Sequence, residues 1–544
     1  MATSNIVRGT MLLTAGIFIS KFLGMIYVIP FEWLVGETGT ALFSYAYTPY
    51  NIILSISTVG VPLAVSKFVA KYNSLGDYQT GRRIFKNGLS LMMITGVISF
   101  LVLFFSAGFI AKLTLVEGST GNSVEDATMV IRMVSFALLI IPSMSIARGF
   151  FQGYQSMGPT AVSQVVEQIA RIIFLLISAY LIVRVFEGSI PLAVGFATFA
   201  TFIGAIASSI VLYVYWKKRK PYLDSKLQEQ ERSYDLPLKG LFKELFHYAG
   251  PFILVGIATS LYQIIDQFTL IRTMTSIGYT QEFAEISYTS FNYLGHKLVI
   301  IPVTLATGLS LAMLPAITKS FTENKQVQMF KQMNQAFQII ILFVVPAVVG
   351  LSLLANEAYG SLYGLETIDI SGPLLAWYAP VGLFFAFFTV SSSVLQGIER
   401  QQFAVISLSA GLIIKLVCNI PFIHLFGAKG AIFATILAVA TVVSLNLWKI
   451  KRSVDFSFHQ IFKRTMLVGI FVTIMGCVVW LAKWFLGFSI VYTDGRMESI
   501  IILAIGVILG ASVYLWLSYE STLLERVLGN RIRILDKFFK RKRE

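Results

Sequence analysis

FFQGYQ (residues 150–155) returns as VLQGIE (394–399), an offset of 244 residues, and the same register aligns Arg171 with Lys415. Working outward, IFKNG (84–88) resembles MFKQM (329–333) at an offset of 245, and VGVPLA (59–64) resembles TGLSLA (307–312) at 248. The matches are short, but they keep one order along the chain, as an internal duplication does. Between them the sequence is a succession of apolar stretches of about 20 residues, the length that crosses a bilayer core. These stretches recur from Met11 to Trp516 in a chain of 544 residues that is 56% hydrophobic and 13% charged. Soluble domains carry roughly 25% charged residues. The expected fold is an all-α integral membrane protein.

Hydropathy and turn signals place about fourteen helices, near 8–30, 41–70, 86–111, 127–152, 159–184, 190–216, 246–272, 287–317, 332–355, 372–397, 402–424, 430–449, 465–487 and 497–518. The repeat divides them into two six-helix lobes in the same orientation, related by a pseudo-twofold axis along the membrane normal. Residues 1–216 form the N-lobe, 217–245 a basic linker and 246–449 the C-lobe; 450–518 add two helices outside the repeat, and 519–544 form a basic tail. Transporters built from such repeats bind between the halves and expose the site to one side at a time. The first apolar run lacks a small-residue cleavage site and continues to spanning length, so no cleavable signal peptide is expected. Cys418 and Cys477 lie in apolar runs, where a thiol is packing material.

The formal net charge is +15, which in a soluble chain would suggest nucleic acid. Here the distribution decides otherwise. Basic residues gather in WKKRKP (216–221), KIKRS (449–453), around Arg82, Arg83 and Lys86, and in KFFKRKRE (537–544). The alternate connections, around Glu32 and Glu37, Glu117–Asp126, Glu282 and Glu285, and Glu357–Asp369, are acidic. The positive-inside rule then puts both termini and the 217–243 loop in the cytoplasm of a multi-pass cell-membrane protein, and the number of spans is even. No nucleic-acid partner is expected.

Ionisable groups at membrane depth cost at least about 2.5 kcal/mol on insertion scales and mark bundle interiors or aqueous paths. The deepest are Lys21, Arg171, Asp266, His296, Lys297 and Lys415. Lys21 sits midway along the first helix in GIFISKFLGMIYVIPF (16–31), where it reads as a cavity cation for phosphate or as the partner of Asp266. Arg171 follows Glu167 at the i,i+4 spacing of an ion pair, so a Glu167–Arg171 pair and a substrate contact are both open. Lys415, its repeat counterpart, has Gly411 in place of the acid, which favours a cavity role. His296 and Lys297 are adjacent and cannot share a helix face; Lys297 is the phosphate ligand of the two, while His296 is a proton switch or a hydrogen-bonded packing residue. Arg132, Arg148, Arg184 and Arg272 lie nearer predicted helix ends, where snorkelling is expected. Prolines 30, 49, 62, 302 and 315 are expected to bend their helices. Cations outnumber carboxylates in the deep set, which favours an anionic, phosphorylated cargo over organic cations. No Walker loop, metal-ligand spacing or Ser-His-Asp signature is present, so the reading is neither an enzyme nor a holder of cofactor or metal.

RGFFQGYQSMGPTAVSQVVEQIARI (148–172) resembles the helix four to five junction of the polysaccharide and stage V sporulation protein B branch of the MOP exporter superfamily. The resemblance extends through ISKFLG (19–24), SYAYTPYNIILSISTVGVPLAVSKFVAKY (44–72) and LYQIIDQF (261–268). In length and order the chain is similar to the Gram-positive lipid II flippases of the MurJ type. The resemblance implies that Ser20-Lys21-Phe22-Leu23-Gly24 stands where the family has Ser-Arg-x-x-Gly, making Lys21 the counterpart of a cavity arginine. It likewise sets Lys297-Leu298 and Pro302 against an Arg-Leu and Pro on helix eight. A second helix-one arginine of Gram-negative members is Tyr27 here, and a helix-two arginine falls on Leu54 or Ser55, which redistributes phosphate coordination toward Arg171 or Lys415. It further implies V-shaped lobes, with helices thirteen and fourteen forming a groove for a polyprenyl tail. The expected partners are membrane lipids and a lipid-linked sugar pyrophosphate flipped by alternating access. The alternatives are a flippase for another polyprenyl-linked polysaccharide unit, and a non-transporting scaffold that recruits cell-wall synthesis enzymes.

Overall fold

The Asp77 carboxylate accepts the Thr80 backbone N–H at 2.9 Å, satisfying one of the donors a helix start leaves orphaned. The apolar run behind it then stays helical to Thr114, 37 residues in all. Ser123 does the same for the next helix through the Asp126 N–H at 3.1 Å. The computed structural model describes residues 16, 19–20, 22–24, 26–58, 61–116, 121–154, 156–230 and 253–528, and among these every regular element is helical. Lys21 lies outside the described residues.

The chain forms two compact units, divided after Glu285. The first holds α1 (Val28–Thr58), α2 (Val61–Ser74), α3 (Tyr78–Thr114), α4 (Val124–Ser135), α5 (Ile141–Gly153), α6 (Gly158–Tyr180), α7 (Ile190–Gln228), α8 (Ala258–Ser276) and the start of α9 (Gln281–Thr289). The second holds the rest of α9, then α10 (His296–Thr322), α11 (Gln326–Leu353), α12 (Ala355–Tyr363), α13 (Ile368–Tyr378), α14 (Val381–Gly397), α15 (Gln401–Phe426), α16 (Ala428–Val454), α17 (His459–Leu486), α18 (Arg496–Glu520) and α19 (Leu523–Leu528).

Ten helical stretches among the described residues are long and apolar enough to cross a membrane, and the chain is a multi-pass membrane protein. The sequence segments from 86–111 to 190–216 and from 332–355 to 497–518 each fall on one of these ten. The segments 246–272 and 287–317 fall on α8 and on α9–α10. Two boundaries differ from the sequence reading. α7 continues past the membrane-length run to Gln228, where its basic stretch is tied down by an ion pair from Asp224 to Arg82 on α3. α1 joins the end of the first sequence segment to the second, broken only at Gly36, whose φ of 70° lies in the left-handed region that glycine tolerates. Upstream of α10, which runs unbroken past Pro302 and Pro315, Ser290–Gly295 form a π-helical turn, a feature that collects at functional sites.

In each unit the same hairpin packs most intimately: α6 on α7, and α15 on α16. Close approach in the first requires a glycine, because a Cβ on Gly204 would stand 2.8 Å from the Glu167 carbonyl. α8 belongs to the first unit by its packing on α1 and α3. Its Gln267 donates to the Tyr45 carbonyl at 3.1 Å and to Thr114 Oγ1 at 3.2 Å. α17 and α18, outside the repeat, pack on each other and on α11 and α12 of the second unit.

Candidate functional site

A charged node occupies the junction of α5, α6 and α7 in the first unit. Arg148 on α5 donates to Ser163 Oγ at 3.0 Å and to Glu167 at 2.6 Å, both on α6, and to Ser208 Oγ on α7 at 2.9 Å. Its side chain is 13% exposed and that of Glu167 23%. Two expectations change here. Arg148, expected to snorkel, points inward, because the short α5–α6 turn sets it opposite Ser163 and Glu167 in an antiparallel hairpin. Glu167 accordingly pairs with Arg148 and not, within its own helix, with Arg171. The antiparallel geometry of a short helical hairpin was the available signal: residues about equally far from the turn face each other.

Arg171 turns to aromatic groups. Its guanidinium lies 5.3 Å from the Tyr27 ring centroid and 5.8 Å from that of Tyr47, and it donates to the Tyr27 hydroxyl at 3.3 Å. Tyr47 is itself fixed, stacked on Phe43 at 4.4 Å and hydrogen-bonded to Thr201. Arg148, Glu167 and Arg171 line a cavity of about 350 Å³ with Tyr47, Leu54 and Gln164 among its other walls. Two guanidiniums against one carboxylate give those walls one net positive charge. The structure thus brings Tyr27, Glu167 and Arg171 together. Asp266 is buried on α8, away from that lining.

The second unit carries the same junction in neutral form. At the repeat offset of 244, Ser163 corresponds to Ser407 and Arg148 to Ser392. Ser407 donates to Asn446 Oδ1 at 2.5 Å, and Asn446 Nδ2 donates to Ser391 and Ser392 at 3.1 and 3.2 Å. Lys415, expected to face a cavity, is fully enclosed between α15 and α16: its ammonium donates to the Ala431 carbonyl at 2.8 Å and Thr435 Oγ1 at 2.6 Å. Its four-carbon stem reaches the neighbouring helix backbone, where a cation is held without entering water. His296 hydrogen-bonds through Nδ1 to the Tyr378 hydroxyl at 2.8 Å, as a packing histidine does, whereas Lys297 lies 5.2 Å from the Tyr293 ring on the other face.

An apolar groove runs along the second unit between α10, α11, α17 and α18, with a volume of about 480 Å³. Phe343, Pro346, Gly350, Met475, Val479 and Val507 are among its walls. Polar pins bracket it. Tyr514 donates to the Leu342 carbonyl at 2.6 Å, Lys483 pairs with the buried Glu357 at 2.9 Å, and Arg496 donates to the Ser361 and Leu362 carbonyls at 2.9 and 2.6 Å. The helices outside the repeat are therefore fastened at their ends, while the stretch between offers only hydrocarbon.

Comparison with known proteins places these features in a family. The polysaccharide biosynthesis protein family matches residues 6–321. The lipid II flippase MurJ of Bacillus subtilis (strain 168) is 45% identical over 533 residues, 97% of this chain and 98% of that protein. Stage V sporulation protein B of the same organism is 25% identical over 457 residues, 81% and 84% of the two chains. Among solved structures, lipid II flippase MurJ in an inward closed conformation superposes with a TM-score of 0.66 at 16% identity, covering 95% of this chain and 99% of that one. With that family matched over more than half its length and a relative 45% identical along nearly all of it, the chain belongs to the polysaccharide biosynthesis protein family.

Proposed function

We propose that this protein is a lipid II flippase, moving undecaprenyl-pyrophosphate-linked peptidoglycan precursor from the inner to the outer leaflet by alternating access. The observation that carries the reading is the 45% identity, end to end, with the Bacillus subtilis lipid II flippase. The geometry agrees with an amphiphilic cargo: a chamber whose charged walls sum to positive, and a groove walled by hydrocarbon. Lys21 and Lys297, with Arg171 and Tyr27, take the pyrophosphate, while the α17–α18 groove keeps the polyprenyl chain out of water. Residues 1–216 and 246–449 act as the two transport lobes, and both termini lie in the cytoplasm, on the side of the basic clusters. A cell depleted of its own flippase and given this chain should regain surface-accessible lipid II; failure to regain it refutes the assignment. Lys21→Ala and Lys297→Ala should abolish that rescue with membrane insertion intact, and full rescue by both variants refutes the cation assignment.

A further inference from the structure

A second cavity in the second unit, about 610 Å³, lies along the N-terminal parts of α11 and α17 and is bordered by α19. Lys331 from α11, Arg464 from α17 and Arg526 from α19 line it, together with the amides of Asn334, Gln335 and Gln338, and among the described residues no carboxylate does. Arg464 is held by the Gln338 side chain, and α19 is tied to α11 by the Gln335 amide donating to the Val527 carbonyl at 3.4 Å.

Both helices that open here begin without the usual negative complement. Neither α11 nor α17 has a side-chain cap or an acidic residue in its first turn. The positive ends of two helix dipoles therefore border the same cavity as three cationic side chains, an arrangement that favours an anion. The same two helices continue into the apolar groove: Gln338 is five residues, about 8 Å of helical rise, before Phe343 on its wall. A cationic pocket followed along one pair of helices by a hydrocarbon groove matches a molecule with a phosphate at one end and a chain at the other.

We propose that this pocket is a binding site for the phosphate headgroup of a membrane lipid whose chain runs toward the α11–α17–α18 groove, a site separate from the Arg148–Arg171 chamber. The inference does not rest on the flippase reading, since any anionic phospholipid on that side of the membrane satisfies it. The test uses the full-length chain purified in a neutral detergent, with retention of phosphatidylglycerol, phosphatidylcholine and inorganic pyrophosphate measured separately. The wild type should retain phosphatidylglycerol over phosphatidylcholine. Arg526→Gln, at an exposed position of a short helix, should weaken retention about fivefold, and Lys331→Gln/Arg464→Gln/Arg526→Gln about a hundredfold, on the basis of about 1 kcal/mol for each cation near a lipid surface. Gly350→Leu in the groove should weaken phosphatidylglycerol and leave pyrophosphate unchanged. Undiminished retention in Arg526→Gln and in a folded, monodisperse triple variant, equal retention of the two phospholipids, or pyrophosphate bound as tightly as lipid, would each overturn the proposal.

Discussion

Gly350 offers a test in which stability and transport should move in opposite directions. It lies on α11 in the groove wall, and a Cβ built on it would meet no heavy atom within 4 Å. A leucine there projects into the groove and not into a neighbouring helix. Glycine inside a helix costs about 0.8–1.0 kcal/mol relative to alanine, and leucine nearly matches alanine, so Gly350→Leu should stabilise the protein or leave it unchanged. The effect on a bound chain is the reverse. Removing a buried leucine side chain elsewhere leaves a cavity of about 150 Å³, so adding one occupies roughly a third of the 480 Å³ groove. If it displaces about four carbons of the tail at about 0.8 kcal/mol each, the loss is about 3 kcal/mol, roughly a hundredfold in occupancy. The assay pairs thermal unfolding of the purified protein with surface-accessible lipid II in cells that depend on it. Gly469→Leu is the matched control, since Gly469 sits on α17 with equally open space and does not line the groove. A Gly350→Leu protein that unfolds no earlier and transports like the wild type would show that the groove does not carry the tail.

Three further outcomes are expected. Arg148→Ala strands the Glu167 carboxylate inside the α5–α6–α7 junction and should cost about 3 kcal/mol; denaturant unfolding reads the loss, and adding Glu167→Gln should restore part of it. Lys415→Met should leave transport intact and change stability by less than about 1.5 kcal/mol, because Thr435 Oγ1 keeps its own bond to the Ala431 carbonyl at 3.0 Å; a transport defect would return Lys415 to the site. Burial pushes the Glu285 carboxyl up from its ordinary 4.5 to about 7, against the opposing hydrogen bonds from Gln281 and Asn122. The folded state then holds an extra proton between those values, so stability should fall by about 3 kcal/mol as pH rises through that window and level off above it. Melting temperatures should show that fall in the wild type and not in Glu285→Gln.

The spans were legible because hydrocarbon solvent leaves little choice: an apolar run of 20 residues must be helical, and the apolar runs of α3 to α7, α11 and α13 to α18 mark these helices directly. The repeat register was legible too, since the offset of 244 sets Ser163 and Ser407 at equivalent three-helix junctions. Side-chain partners were not. Depth along a helix, counted from its ends, made Arg148 look peripheral, yet its neighbours are set by the hairpin partner. Helical spacing suggested Glu167–Arg171, but an i,i+4 pair is worth only a few tenths of a kcal/mol, less than the three hydrogen bonds Arg148 forms with α6 and α7. Lys415 looked available because no acid stood one turn away; backbone carbonyls of the next helix, invisible to a charge count, hold it.

The two junctions satisfy their polar groups in different ways. In a dry helix interface a carboxylate and a guanidinium cost several kcal/mol each to desolvate, and an amide with hydroxyls is the cheaper way to satisfy polar groups. The second unit takes that solution: Ser391, Ser392, Ser407 and Asn446 are fully buried. The first unit keeps Arg148 and Glu167 partly exposed beside a cavity, where hydration of the open side offsets the desolvation. The duplicated junction is thus charged and open to a cavity in one copy, and neutral and fully buried in the other. Under the proposed function, the first unit contributes Arg171 and Tyr27 to the headgroup contacts. Under the same reading the second unit, with its sealed junction, adds Lys297 to those contacts and offers the apolar α17–α18 groove to the polyprenyl chain.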